Sequence, residues 1–194
     1  MQYDSVNMAT QGDENDYWHS VLIVGAAFGV VGSLVTILFG YLQISSEPSG
    51  ALLTPLMIGS VLVRLATCFA GMIAIWHMAR SVTPWLTLSR GALIGFLAGG
   101  VVVIVDVVVQ TLWLQIDPAY TERVLESIIA NLEQMNIPGD TREELIDQMA
   151  AAVETPSLFS QIFYGIPVTG LLNLLTGMLG IKYFARKPDK AETD

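Results

Sequence analysis

The sequence predicts an all-α integral membrane protein: four transmembrane helices in a bundle, with two amphipathic extracytoplasmic helices between the third and fourth spans. Three observations lead there. Hydrophobic residues make up 53% of the chain and charged residues 14%, against about a quarter charged in soluble domains. The mean hydropathy is +0.55. The apolar residues come in long runs, each near the roughly 20 residues that a helix needs to cross the hydrocarbon core. A water-soluble helix would break such runs with charge at every turn.

Residues 1–17 are polar and acidic, with Asp4, Asp13, Glu14 and Asp16 and no Lys or Arg. They predict a disordered cytoplasmic tail. A cleaved signal peptide would carry a basic start instead. The membrane domain covers 18–186. Its first span, 18–42, contains VLIVGAAFGVVGSLVTILFGYL without a charge. Pro48 and Gly50 break the loop that follows. The second span covers 52–78 and carries Arg64; Pro84 lies in the loop after it. The third span covers 87–116 and carries Asp106.

Residues 117–156 read as two amphipathic helices. In the first, Asp117 stands where an N-cap belongs and Pro118 takes the first helical position. Tyr120, Val124, Leu125, Ile128, Ile129, Leu132 and Met135 share one face at helical spacing, with Glu122, Glu126 and Glu133 away from it. Asn136 to Gly139 form the break. Thr141-Arg142-Glu143-Glu144 has capping-box spacing and opens the second helix, whose apolar face is Leu145, Ile146, Met149 and Val153. The fourth span covers 157–184. Pro167 should kink it, and Gln161 and Asn173 are its polar members. A short polar tail, 187–194, closes the chain.

Charge sets the orientation. An even number of spans puts both termini on one side with Arg80, Arg90, Lys182, Arg186, Lys187 and Lys190. The other side has Arg123 and Arg142 among nine acidic residues of 117–156. The positive-inside rule makes the termini cytoplasmic and 117–156 extracytoplasmic, in a bacterial inner membrane. The aromatic belts agree: Trp18, Trp76, Trp85 and Tyr183 lie at one interface, and Tyr41, Trp113 and Tyr164 near the other.

Arg64 and Asp106 are the pointed residues. A charge inside a span costs at least about 2.5–3.5 kcal/mol. At 1.5 Å per residue, Arg64 lies about 18 Å and Asp106 about 15 Å below the outer surface. The two spans are consecutive and antiparallel, so the pair is within reach. It reads as a structural ion pair or as a polar site for a proton or anion path, the former weighing more because no second acid or histidine stands nearby in sequence. Gly91, Gly95 and Gly99 recur at four-residue spacing, as do Gly25, Gly29 and Ser33. Such small residues mark helix-packing faces, and packing within the chain is the default expectation.

His19 and His77 lack metal-ligand spacing on their own helices, and Cys68 reads as a small buried hydrophobe. No metal site, cofactor or catalytic residue is predicted. HExxH, P-loop, GxGxxG and GxSxG motifs are absent from the sequence, so an enzyme is not expected. The net charge of -9 argues against nucleic acid. The expected partners are the lipid bilayer and a protein subunit or a second copy. The leading expectation is a non-catalytic accessory or scaffold subunit presenting its acidic cap. The second is a small oligomeric transporter or channel using Arg64 and Asp106.

Three stretches resemble a bacterial family known only as domain of unknown function 4199: TLSRGALIGFLAG (Thr87 to Gly99), the aspartate-proline step at Asp117, and GLLNLLTGMLGIKYF (Gly170 to Phe184). The resemblance covers roughly Leu22 to Arg186. Many members have paired glycines and a phenylalanine near the start of the third span, where this chain reads Pro84-Trp85-Leu86-Thr87. The resemblance implies a four-span architecture with an amphipathic charged segment before the last span. It implies no activity, cofactor or catalytic residue.

A protease site inserted at Gly139 is expected to be cut from the extracytoplasmic face of intact cells or spheroplasts. Cleavage only after access to the cytoplasm would reverse the orientation.

Overall fold

The computed structural model describes residues 14–82, 86–154 and 158–185. They form seven helices: α1 (Glu14–Ser45), α2 (Pro55–Thr67), α3 (Ala70–Ser81), α4 (Leu88–Ile116), α5 (Tyr120–Glu133), α6 (Gly139–Glu154) and α7 (Leu158–Phe184). Four stretches are long and apolar enough to cross a membrane: Tyr17–Ser45, Pro55–Ser81, Leu88–Ile116 and Gln161–Phe184. The tail expected over 1–17 gives way to helix at Glu14. Residues 1–13, Pro84, Trp85, Pro156 and the tail from Arg186 lie outside the described residues.

α4 is the central helix, packing on α7, α1 and α3. Its glycines are divided by function. Gly91, Gly95 and Gly99 face α7, where a Cβ at Gly91 would overlap Ile181 and one at Gly95 would overlap the Asn173 carbonyl oxygen. On α1, Gly25 and Gly29 face α4. A Cβ on either would come within 2.7 Å of Val101 or Val105. Both glycine faces are thus used inside the chain. Val21, Val24, Ala70, Ala74, Ile75, Ile94, Ala98 and Val102 form the core between α1, α3 and α4.

The second span departs from the sequence expectation of one helix over 52–78. It is broken at Cys68 and Phe69 into α2 and α3. An unbroken helix would send the Gly71 N–H to the Thr67 carbonyl and the Met72 N–H to the Cys68 carbonyl. Here Gly71 donates to Asn173 Oδ1 at 2.7 Å, and Thr176 Oγ1 donates to the Cys68 carbonyl at 2.6 Å. Backbone groups freed inside a helical bundle are tolerated where neighbouring side chains satisfy them again. α7, in contrast, runs as one helix through Pro167. The break lies in the second span and is held by polar residues of the fourth.

The second span is also unequal in its packing. α3 packs on α7, α4 and α1, whereas the contacts of α2 are mainly with α1. Phe39 of α1 sits over Gly59 of α2. Leu62, Leu65 and Phe69 are exposed along the second span.

At the pole holding α5, two sequence expectations are corrected. α5 begins at Tyr120, and its N-cap, Ala119, has no side-chain hydrogen bond. Asp117 instead ends α4, and its carboxylate accepts from Tyr41 Oη and pairs with Arg123. The charge-assisted partners draw the carboxylate away from the N–H groups it would have capped. α6 begins at Gly139, so Thr141 lies inside the helix and the capping box does not form. The expected apolar face of α5 does turn inward: Tyr120 and Leu132 are buried, while Glu122, Glu126 and Glu133 are exposed.

Asn131 of α5 ties down the loop after α1. Its Oδ1 accepts from the Ser49 and Gly50 N–H groups, each at 3.1 Å, and its Nδ2 donates to the Ala51 carbonyl at 3.0 Å. Gly50 has φ +64°, a conformation that suits glycine, and a Cβ there would come within 2.6 Å of the Gln134 carbonyl. Tyr120 lies over Gly40 of α1, where no side chain would fit. Burial, followed by the charges of Tyr41 and Asp117, holds the Tyr120 phenol above its ordinary value of 10.0.

Two outcomes follow from this packing. Asn173→Ala leaves the Gly71 N–H without its partner and should destabilise the bundle by about 1–3 kcal/mol, read from unfolding in mixed detergent. For α5, the folded state favours the neutral Tyr120 phenol. The stabilisation is intact below pH about 10 and lost as pH rises through the raised value. Hydrogen exchange should show α5 loosening only at alkaline pH, and Tyr120→Phe should delay that loosening.

Candidate functional site

A cavity of about 510 Å³ opens between α1, α2, α4 and α7. That is within the roughly 300–1,000 Å³ of small-molecule pockets. It exists because α2 stays on α1 while the small-residue faces draw α3, α4 and α7 together. Arg64 enters it from α2 and Asp106 from α4. Hydroxyls and amides of Thr36, Ser60, Thr67, Gln110, Gln161 and Thr169 line it too. The rest of the wall is mostly apolar, with Phe28, Val63, Val102, Val103, Val107 and Val168, and includes Tyr164.

The two charged residues share this cavity but form no ion pair within 4.0 Å among the described residues. Asp106 Oδ1 instead accepts from Ser33 Oγ at 2.6 Å. Ser33 is fully buried, and its hydroxyl also reaches the Gly29 carbonyl at 2.7 Å. One hydroxyl has one proton to donate, so the two acceptors share it. Asp106 Oδ2 has no protein partner among the described residues, and neither does the Arg64 guanidinium. Arg64 is exposed at the side of the bundle and Asp106 is half-buried.

Ser33 is the residue that sequence reasoning placed only as packing. It does occupy the small-residue face of α1, yet it is also the partner of Asp106. Their separation of 73 positions leaves no local signal. Gln161 was visible as a polar member of the last span, but its place beside Arg64 and Asp106 depends on how α7 crosses α4. A second apolar recess of about 210 Å³ lies next to the first, between α1 and α2, lined by Val31, Val35, Leu62 and Ala66 among others.

At the opposite pole, His19 and His77, distant in sequence, come together with ring centroids 6.4 Å apart. His77 Nδ1 lies 2.9 Å from the Ser20 hydroxyl. Arg80 stacks over Trp76 at 5.1 Å. Among the described residues no group of three or more His, Cys, Asp or Glu could hold a metal ion. Cys68 is a half-buried free thiol at the break in the second span.

The family model for proteins of unknown function (DUF4199) matches residues 23–182. The chain belongs to this family. The match takes in all four apolar stretches except the ends of the first and last, and the whole of the α5–α6 segment. Among curated proteins and among solved structures no match is found. The family carries no assigned activity, so the chemistry of the cavity is what bears on function.

Ser33→Ala should leave the fold intact and cost about 0.5–2 kcal/mol, since Asp106 keeps access to the cavity and can recruit water. A loss comparable to that of Asn173→Ala would make Ser33 part of the structural framework. Thermal unfolding of the two purified variants side by side makes the comparison.

Proposed function

We propose that the chain is a non-catalytic, multi-pass protein of a bacterial inner membrane that binds a small polar solute in the cavity between α1, α2, α4 and α7. Both termini then lie in the cytoplasm, and α5 and α6 lie outside it. The observation that carries this reading is the separation of Arg64 and Asp106. A purely structural ion pair would close on itself, because an unpaired charge at this depth costs several kcal/mol. Here both charges line the same open cavity without closing on each other. Four spans are few for a complete solute path, so transport would need a second copy or a partner, and α2 is the least packed helix of the four apolar stretches.

This reading reverses the order suggested by sequence, in which an accessory subunit came first. That role keeps one observation in its favour. Glu122, Glu126, Glu133, Glu143, Glu144 and Asp147 are all exposed on α5 and α6, an acidic surface suited to a basic partner protein. The carboxylates would then act through long-range attraction and so through association rate.

Native mass spectrometry combined with thermal unfolding across a solute panel tests the two readings together. Solute binding should raise the unfolding temperature of the wild-type protein, and Arg64→Ala and Asp106→Asn should abolish that rise while remaining folded. A stoichiometric companion protein with no response to any solute would favour the accessory role. Loss of folding in both variants without any solute response in the wild type would make the residues structural.

A further inference from the structure

We infer that the solute is dipolar, with a carboxylate held by Arg64 and an ammonium held by Asp106: a neutral α-amino acid with an apolar side chain. This rests on the solute-binding reading above and adds the ligand's class to it.

The argument starts from the charge balance of the cavity. It presents one fixed cation and one fixed anion on different helices, not paired with each other. A simple anion would be drawn to Arg64 but repelled by Asp106, and a simple cation would meet the reverse. In a site of reduced dielectric, neither penalty is small. A ligand carrying both charges turns each repulsion into an attraction and enters with no net charge. It also gives each charge the partner it lacks among the described residues.

The local geometry fits this division. The guanidinium presents a planar fork of donors that matches a carboxylate with two parallel hydrogen bonds. On the facing wall, Ser33 occupies one oxygen of Asp106, and the other oxygen remains for an ammonium N–H. An ammonium has three donors, and Gln110 and Gln161, whose amides can accept, line the same cavity. Beside the polar residues, Phe28 and five valines of the wall give an aliphatic or aromatic side chain apolar surface to pack against. A phospholipid headgroup such as ethanolamine phosphate has the same dipolar chemistry, and the test separates it from the free amino acid.

The wild-type protein in detergent is titrated with L-leucine by calorimetry, beside 4-methylpentanoate, N-acetyl-L-leucine, L-leucinamide and glycerophosphoethanolamine. Leucine is expected to bind. Loss of either charge, in any of the three leucine analogues, should weaken binding about tenfold or more. Equal binding of 4-methylpentanoate or N-acetyl-L-leucine would leave an anion site and overturn the dipolar assignment, with the solute-binding reading intact. Equal binding of L-leucinamide would do the same with a cation site. Binding of glycerophosphoethanolamine in place of leucine would also overturn it. If leucine fails and no solute of the wider panel binds either, both readings fail. These comparisons need no substituted protein, so they stand even if Arg64→Ala does not fold.

Discussion

Asn173 sits where three helices meet, and its backbone and side chain do different work there. Its carbonyl oxygen lies against Gly71 of α3 and Gly95 of α4, so close that neither position admits a Cβ. Its side chain bonds the Gly71 N–H in front and the Thr169 carbonyl behind. It is completely buried. In lipid, apolar burial gives helices little reason to associate, so close backbone contact and interhelical hydrogen bonds take over that role. The α3–α4–α7 junction concentrates both at a single residue.

The same junction explains the shape of the rest. Drawing α3 tightly onto α4 and α7 separates the course of α3 from that of α2, and the second span breaks between them. Thr176, one turn beyond Asn173 on α7, satisfies the carbonyl left at the break. α2 then stays with α1, and the wedge between it and the α4–α7 pair becomes the cavity. Arg64 and Thr67 line that wedge from the last turn of α2. Irregular backbone is tolerated beside such a cavity because neighbouring side chains can satisfy it. The cavity is thus a by-product of tight packing elsewhere in the bundle.

The pole holding α5 follows a different logic, because its charged groups pair at a partly exposed surface. Asp117, Arg123 and Tyr41 form a compact polar cluster around the end of α4, with the Tyr41 ring edge-on to Trp113 at 6.1 Å. Tyr120 and Asn131 then anchor α5 to α1 and to the loop after it. α6 leans on α5, so the segment is fixed to the bundle mainly through its first helix. This leaves Glu122, Glu126 and Glu133 of α5 and Glu143, Glu144 and Asp147 of α6 exposed, while Tyr120 and Leu132 of α5 turn in.

The sequence alone determined the helical architecture, the number of long apolar stretches, the small-residue faces and the amphipathic character of α5. Each of these is written in composition or in a period of a few residues, which local sequence carries directly. Arg64 and Asp106 also stood out locally, because charge is expensive at that depth. What only the tertiary structure decided are the relations across the chain. The break at Cys68 and Phe69 has no proline to announce it, and it depends on polar side chains more than a hundred positions away. The choice of Ser33 rather than Arg64 as the partner of Asp106 depends on the crossing of α1 with α4. The role of Asp117 was misjudged from its neighbours because Tyr41 and Arg123 compete for it more strongly than a helix N-terminus does. Hydrogen bonds between helices are set by crossing angle and register, and neither is encoded in the local periodicity of any one span.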